Sequence, residues 1–134
     1  MKGPLAVPRI LWASLFASTL VYLLVLELVT LEAPAGWETL VYPLAFVAAL
    51  SAAGSLVAPR LLRERARPSA GETGYLYVTA LMLSLALAES VAILGLVLGF
   101  LGAPAPVVVP FFAASWILML IQFPTEEKLD RFAR

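Results

Sequence analysis

The sequence predicts an all-α integral membrane protein, a four-helix bundle whose two termini both lie on the cytoplasmic side. Hydrophobic residues make up 62% of the chain and charged residues only 13%, and most of the charges lie in short segments outside the long apolar runs. An ordinary soluble domain is about half apolar and about one quarter charged, so this composition favours a membrane protein. The apolar runs are continuous instead of alternating, which favours helices over membrane β-strands.

Four apolar stretches define the predicted helices of a single transmembrane domain covering residues 1–134. They span residues 10–31, 40–58, 75–101 and 107–123. A hydrocarbon core about 30 Å thick needs about 20 helical residues, each rising about 1.5 Å. The third stretch is therefore long enough to tilt, and the fourth is short for a span.

The first stretch has a second interpretation, as a cleaved secretory signal. Lys2 and Arg9 form a basic segment before it, and "APAG" at residues 33–36 resembles a cleavage site. Its apolar part is longer than the roughly 7 to 15 residues of a signal peptide, and removing it would leave an odd number of spans. We therefore expect the first stretch to be a retained helix.

Prolines are expected to mark helix boundaries. Pro43 and Pro110 lie near the starts of the second and fourth stretches, where a missing N–H costs little. Pro59 follows the second stretch, so we expect it to end that helix and to begin a basic loop over residues 59–74.

The distribution of basic residues sets the predicted orientation. All 9 lie before the first stretch, between the second and third, or after the fourth. Cytoplasmic segments of membrane proteins are enriched in Lys and Arg, so both termini and the loop at residues 59–74 are expected inside. The predicted location is a cell membrane, assigned to a bacterial inner membrane. Aromatic residues including Trp12 and Trp116 are expected to anchor the helices at its interfaces.

Small residues predict close packing between the second and third helices. They recur every three or four residues along the third stretch, and the second stretch carries a matching set. In lipid, such residues let two backbones approach and collect dispersion contacts. The residues predicted to line this contact are Ala45, Ala49, Ala52, Ala88, Ala92, Gly95 and Gly99. The bulky first helix is expected to lie outside it.

The chain contains no cysteine and no histidine. This composition excludes disulfides, thiol nucleophiles and imidazole metal ligands, together with the usual proton carrier near neutral pH. We therefore expect no enzymatic activity, no metal site and no cofactor. The expected partners are the lipid bilayer and either further copies of the chain or a larger membrane complex, with no role for nucleic acid.

Two carboxylates lie within the apolar stretches. Glu89 is near the middle of the third stretch, and Glu27 is close to the outer end of the first, where it can reach the interface. An ionised carboxylate at the bilayer midplane is costly, and no basic residue lies at the depth of Glu89. We therefore expect Glu89 to be protonated and hydrogen-bonded to a neighbouring helix. Glu89 is the main candidate for proton binding, and Glu27 is the secondary candidate.

The segment "ALAESVAILGLVLGFL", residues 86–101, resembles the carboxylate-bearing helix of the c-type proteolipid subunits of rotary ATPases. In that family a helix rich in small residues leads through a polar loop containing Arg and Pro to a helix with the ion-binding acid. The resemblance covers residues 40–102 and implies that Glu89 binds the transported proton. The chain departs from the family in carrying Ala and Ser where Gly usually repeats, and in flanking the hairpin with an extra helix on each side.

Two other functions fit the same sequence. A small non-catalytic subunit that stabilises a larger membrane complex would use Glu89 only as an interhelical hydrogen bond. A small-solute transporter could be built as a symmetric dimer, although the broken helices typical of that class are not evident in the sequence.

Overall fold

The computed structural model describes residues 5–29, 36–65 and 72–134. Their regular secondary structure is entirely α-helical, which confirms the all-α part of the predicted fold class. The helices are α1 (Ala6–Leu28), α2 (Trp37–Arg65), α3 (Thr73–Phe100), α4 (Ala105–Ile121) and α5 (Glu126–Ala133).

Three of these helices, α1, α2 and α3, are long and apolar enough to cross a membrane. Helix α4 has only 17 residues and reaches span length only together with α5, from which it is bent by 70°. The protein is therefore a multi-pass membrane protein with three or four candidate spans. The expectation of four helices is corrected to five, whereas the cytoplasmic placement of both termini stays a prediction.

The fifth helix, α5, is amphipathic and folds back against the start of α3. Thr125 caps its N-terminus by accepting a hydrogen bond from the Lys128 backbone N–H at 3.4 Å. Phe132 is buried, and its ring packs edge-on against Tyr77 with ring centroids 5.7 Å apart. Leu129 packs on the same cluster. The segment forms a helix because a capping threonine precedes two apolar side chains at helical spacing.

Helix α3 occupies the centre of the bundle and contacts each of the other four helices. Its contact with α2 is the most extensive between any two described helices, followed by its contacts with α4 and α1. Ten α3 residues are buried, among them Leu85, Ala88 and Ala92, which have no exposed surface. Because it is surrounded, α3 needs small residues on several faces and not only on one.

The small residues of α3 accordingly contact several partners. A Cβ atom placed on Gly95 would lie 2.7 Å from the Cβ of Phe111 in α4, and one on Gly99 would lie 2.6 Å from a methyl carbon of Leu26 in α1. The expectation that both glycines face α2 is therefore wrong. On α2, Ala45 and Ala49 are exposed and Ala48 is the buried member of the set.

Helix α2 continues through Pro59 to Arg65, so the expected stop at this proline and the start of the loop at residue 59 are corrected. Pro59 cannot donate to the Ser55 carbonyl four residues earlier. That carbonyl accepts instead from the Ser84 hydroxyl of α3 and from Gln122 Nε2 at 3.5 Å. The helix tolerates the proline because donors from elsewhere in the fold replace the missing bond. Residues 66–71 of the predicted loop lie outside the described residues.

Pro43 and Pro110 also lie inside their helices, because α2 and α4 begin earlier than the apolar stretches predict.

Helix α3 ends in a Schellman motif, in which the Ala103 N–H donates to the Leu98 carbonyl and the Gly102 N–H to the Gly99 carbonyl, both at 3.0 Å. Gly102 adopts φ +86°, which favours glycine. This motif produces the tight connection that brings α4 back along α3.

Candidate functional site

Glu89 is held by two hydroxyl groups of α1. Its Oε1 atom lies 2.5 Å from the Ser18 hydroxyl and accepts a hydrogen bond from the Tyr22 hydroxyl at 2.7 Å. We call Ser18, Tyr22 and Glu89 the carboxyl cluster. It links α1 to the middle of α3, so the predicted hydrogen bond from Glu89 to a neighbouring helix has hydroxyl partners in the structure.

The helix positions of these residues follow from simple geometry. Ser18 and Tyr22 are four residues apart and therefore project from the same side of α1. Helices α1 and α3 run in the same direction, because Leu5 packs in a cluster with Tyr77 at one end and Leu26 touches the position of Gly99 at the other. This register brings the middle of α1 level with Glu89.

The Ser18 hydroxyl has two hydrogen-bond acceptors within reach. It lies 2.7 Å from the backbone carbonyl of Leu15 as well as 2.5 Å from Glu89 Oε1. A serine hydroxyl carries a single proton and also accepts hydrogen bonds through its lone pairs. It can donate to a carboxylate, or donate to the Leu15 carbonyl while accepting from a protonated carboxyl.

Glu89 is partly exposed at the surface of the single chain. The site therefore lies at an edge of the bundle, where lipid, water or another protein can reach it. Glu27, the secondary candidate, is exposed near the end of α1, and no hydrogen bond joins it to another described residue. The structure does not bring Glu27 into the carboxyl cluster.

Two tryptophan side chains fasten α1 to α4 beside this cluster. The Trp12 indole donates to the Met119 carbonyl at 2.7 Å, and the Trp116 indole donates to the Thr19 hydroxyl at 2.9 Å. Their indole N–H groups are therefore bonded within the bundle, and the expectation that these two residues serve as interface anchors stays a prediction. They hold α1 against the core and thereby keep Ser18 and Tyr22 near α3.

A second polar contact surrounds the carbonyl left free by Pro59. The Ser84 hydroxyl donates to the Ser55 carbonyl, and Gln122 Nε2 donates to the Ser55 hydroxyl at 2.5 Å. We call Ser55, Ser84 and Gln122 the carbonyl cluster. It joins α2, α3 and the end of α4, and none of its side chains titrates near neutral pH.

Lys128 of α5 caps the end of α4. Its Nζ atom donates to the carbonyls of Ile121 at 2.5 Å and Phe123 at 2.9 Å. These carbonyls belong to the helix end, where backbone acceptors lack intrahelical donors. Burial lowers the pKa of the Lys128 ammonium, and the Glu127 carboxylate opposes part of that shift.

Sequence reasoning identified Glu89 but missed both of its partners. Ser18 and Tyr22 were detectable as two hydroxyl residues spaced by four in the middle of an apolar helix. The carbonyl cluster also had a signal, because Pro59 identifies the Ser55 carbonyl as the acceptor that its own helix leaves unpaired.

Protein-family models, curated proteins and solved structures yield no significant match to this chain. The similarity of residues 40–102 to c-type proteolipids therefore stays an interpretation of the sequence.

Proposed function

We propose that this protein binds and releases a proton at Glu89, as a proteolipid-like subunit of a homo-oligomer or of a larger membrane complex. The supporting observation is the Ser18 hydroxyl, whose oxygen lies within hydrogen-bond distance of two acceptors, the Leu15 carbonyl and Glu89 Oε1. A carboxyl group that moves protons must have hydrogen-bond partners in both of its protonation states, because unpaired polar groups are costly in lipid.

The carboxyl cluster meets this requirement in both states. When Glu89 is ionised, Ser18 and Tyr22 both donate to its carboxylate. When Glu89 takes up a proton, its new O–H donates to the Ser18 oxygen, and Ser18 turns its own proton to the Leu15 carbonyl. Only a hydroxyl rotation separates the two arrangements, so the backbone of α1 need not move.

The test uses the full chain in liposomes and a lipid-soluble carbodiimide, a reagent that modifies protonated carboxyls. We expect wild-type protein to be modified at Glu89, more slowly as the pH rises, and to carry a proton flux if the single chain suffices. Glu89→Gln should abolish both signals, whereas Glu27→Gln, which changes the other membrane carboxyl, should leave both unchanged. Tyr22→Phe removes a donor to the ionised form, so modification should persist to higher pH.

Modification at Glu89 that does not depend on pH would contradict the proposal, as would a proton flux that Glu89→Gln leaves intact. A second candidate is a non-catalytic assembly subunit with Glu89 as a fixed link. This role is favoured by the fact that both hydroxyl donors lie on α1, so the cluster fastens one helix to the bundle. No flux and no pH-dependent modification, together with an intact fold in Glu89→Gln, would favour this second candidate.

A further inference from the structure

A cavity of about 260 Å³ lies at the end of the bundle where α2, the start of α3, the end of α4 and α5 meet. Its volume is close to the lower limit of about 300 Å³ for small-molecule sites. Most of its wall is apolar and includes Leu56, Pro59, Leu81 and Phe132. The cavity lies apart from the carboxyl cluster, so its role is independent of proton binding at Glu89.

Two buried polar atoms in residues of this wall have no hydrogen-bond partner among the described residues. They are the Tyr77 hydroxyl and Gln122 Oε1. Tyr77 is only 7% exposed, and the amide nitrogen of Gln122 is already occupied by Ser55. Buried polar atoms without partners are unusual in native proteins and call for water or a ligand. A ligand oxygen could accept from Tyr77, and a ligand hydroxyl could donate to Gln122.

The charges beside the cavity are positive. Arg60 and Lys128 both line it, and no acidic residue does. Among the described residues, the only ion pair joins Glu127 and Arg131 of α5. Arg60 therefore has no carboxylate partner among these residues. Lys128 uses two of its three N–H groups on backbone carbonyls and keeps one. Arginine matches phosphate and carboxylate geometry with paired N–H groups.

The wall of the cavity continues onto the exposed apolar surface of α2. Leu56 lines the cavity and is still 43% exposed, and the adjacent Val57 is exposed to the same degree. A molecule with its polar part in the cavity could therefore leave its hydrocarbon part along α2, in contact with the membrane. This continuity favours a lipid over a soluble anion.

We propose that the cavity binds the headgroup of an anionic phospholipid. The phosphate contacts Arg60 and the free N–H of Lys128, and headgroup oxygens pair with the Tyr77 hydroxyl and Gln122 Oε1. The acyl chains extend over the exposed surface of α2. The lipid would thereby join α2, α3 and α5 at the end of the bundle that carries the basic residues.

The proposal is tested with the full chain in a neutral detergent, by native mass spectrometry and thermal unfolding. The probes are phosphatidylglycerol, which carries a phosphate and free hydroxyls, phosphatidylcholine with the same acyl chains, and inorganic phosphate. We expect saturable binding of a single phosphatidylglycerol with a rise in Tm, much weaker binding of phosphatidylcholine, and no rise in Tm with inorganic phosphate.

Arg60→Gln should weaken phosphatidylglycerol binding by about tenfold or more, because it removes a charge-assisted hydrogen bond. The matched control is Arg63→Gln, which removes an exposed arginine of the same helix that does not line the cavity. Its general effect on an anionic lipid should not exceed about fivefold. Tyr77→Phe should weaken binding by about threefold to tenfold while leaving phosphatidylcholine binding unchanged.

Three results would overturn the proposal. Equal losses in Arg60→Gln and Arg63→Gln would mean that lipid is attracted only by surface charge. Equal binding of phosphatidylglycerol and phosphatidylcholine would mean that the cavity does not distinguish between their headgroups. Stabilisation by inorganic phosphate as large as that by phosphatidylglycerol would make the cavity a site for a soluble anion.

Discussion

The carboxyl cluster and the carbonyl cluster are two polar contacts inside the same apolar bundle, and they differ in what they leave unpaired. The carboxyl cluster joins α1 to α3 through an ionisable side chain, and each of its hydroxyls has an acceptor. The carbonyl cluster joins three parts of the chain without an ionisable group, and it leaves Gln122 Oε1 unpaired beside a cavity. The carboxyl cluster thus contains an ionisable group whose hydroxyl neighbours all have acceptors, whereas the carbonyl cluster leaves one acceptor without a donor.

The largest expected effect comes from separating α4 from α3 with Gly95→Leu. A new Cβ there would meet the Cβ of Phe111 at 2.7 Å, which cannot be relieved by rotating the end of a side chain. Overpacking of this kind typically costs about 1 to 3 kcal/mol. We expect a clearly lower Tm in detergent than for wild type.

Gly99→Leu is the matched control for that experiment. Its new Cβ would meet the methyl groups of Leu26, which lie at the end of a flexible side chain and can move. Its loss of stability should therefore be smaller than that of Gly95→Leu. Equal stability of Gly95→Leu and wild type would show that α4 is not seated against Gly95.

An intermediate effect is expected at the carboxyl cluster. Glu89→Leu should lower the free energy of unfolding by about 1 kcal/mol, typical of interhelical hydrogen bonds in membranes, because Tyr22 loses its acceptor. Glu89→Gln should lose less, since an amide oxygen still accepts from Tyr22. The measurement is unfolding in mixed micelles, with Ser84→Ala in parallel.

Ser84→Ala provides the comparison, because it removes a hydroxyl from the cluster that contains no ionisable side chain. A Glu89→Leu variant as stable as wild type would contradict the prediction.

The smallest effect should appear as an energetic coupling within the carbonyl cluster. Ser84→Ala should cost roughly 0.6 kcal/mol in wild type, the average that double-mutant cycles give for such bonds. In the Pro59→Ala background it should cost less, because an alanine N–H at position 59 restores the helical bond to the Ser55 carbonyl. Additive losses in the double variant would show that the proline and the Ser84 hydroxyl act independently.

The helical architecture was predictable because continuous apolar runs have few alternatives in a membrane, and so was a hydrogen bond between Glu89 and a neighbouring helix. The helix contacts were less predictable. The small residues of α3 recur along a narrow strip, yet Gly95 contacts α4 and Gly99 contacts α1. Because α3 is surrounded by other helices, different positions along this strip face different helices. Sequence spacing alone identifies which residues are small, but the identity of the facing helix depends on the whole bundle.

Pro59 illustrates a second limit of sequence reasoning. A proline at the end of an apolar run normally ends a helix, because it has no N–H to donate to the carbonyl four residues earlier. Here α2 continues because Ser84 and Gln122, distant in sequence, supply donors to Ser55. No local pattern contains that information.

The central position of α3 also bears on how the chain matures in the membrane. Helices α1 and α2 make little or no contact with each other, and each packs mainly on α3. While the ribosome is still synthesising α3, the two earlier helices therefore have no packed surface in common and are joined through the short segment at residues 29–36. Emergence of α3 should join them in a single step, so nascent chains arrested after residue 65 should resist cross-linking between α1 and α2, and chains arrested after α3 should become compact.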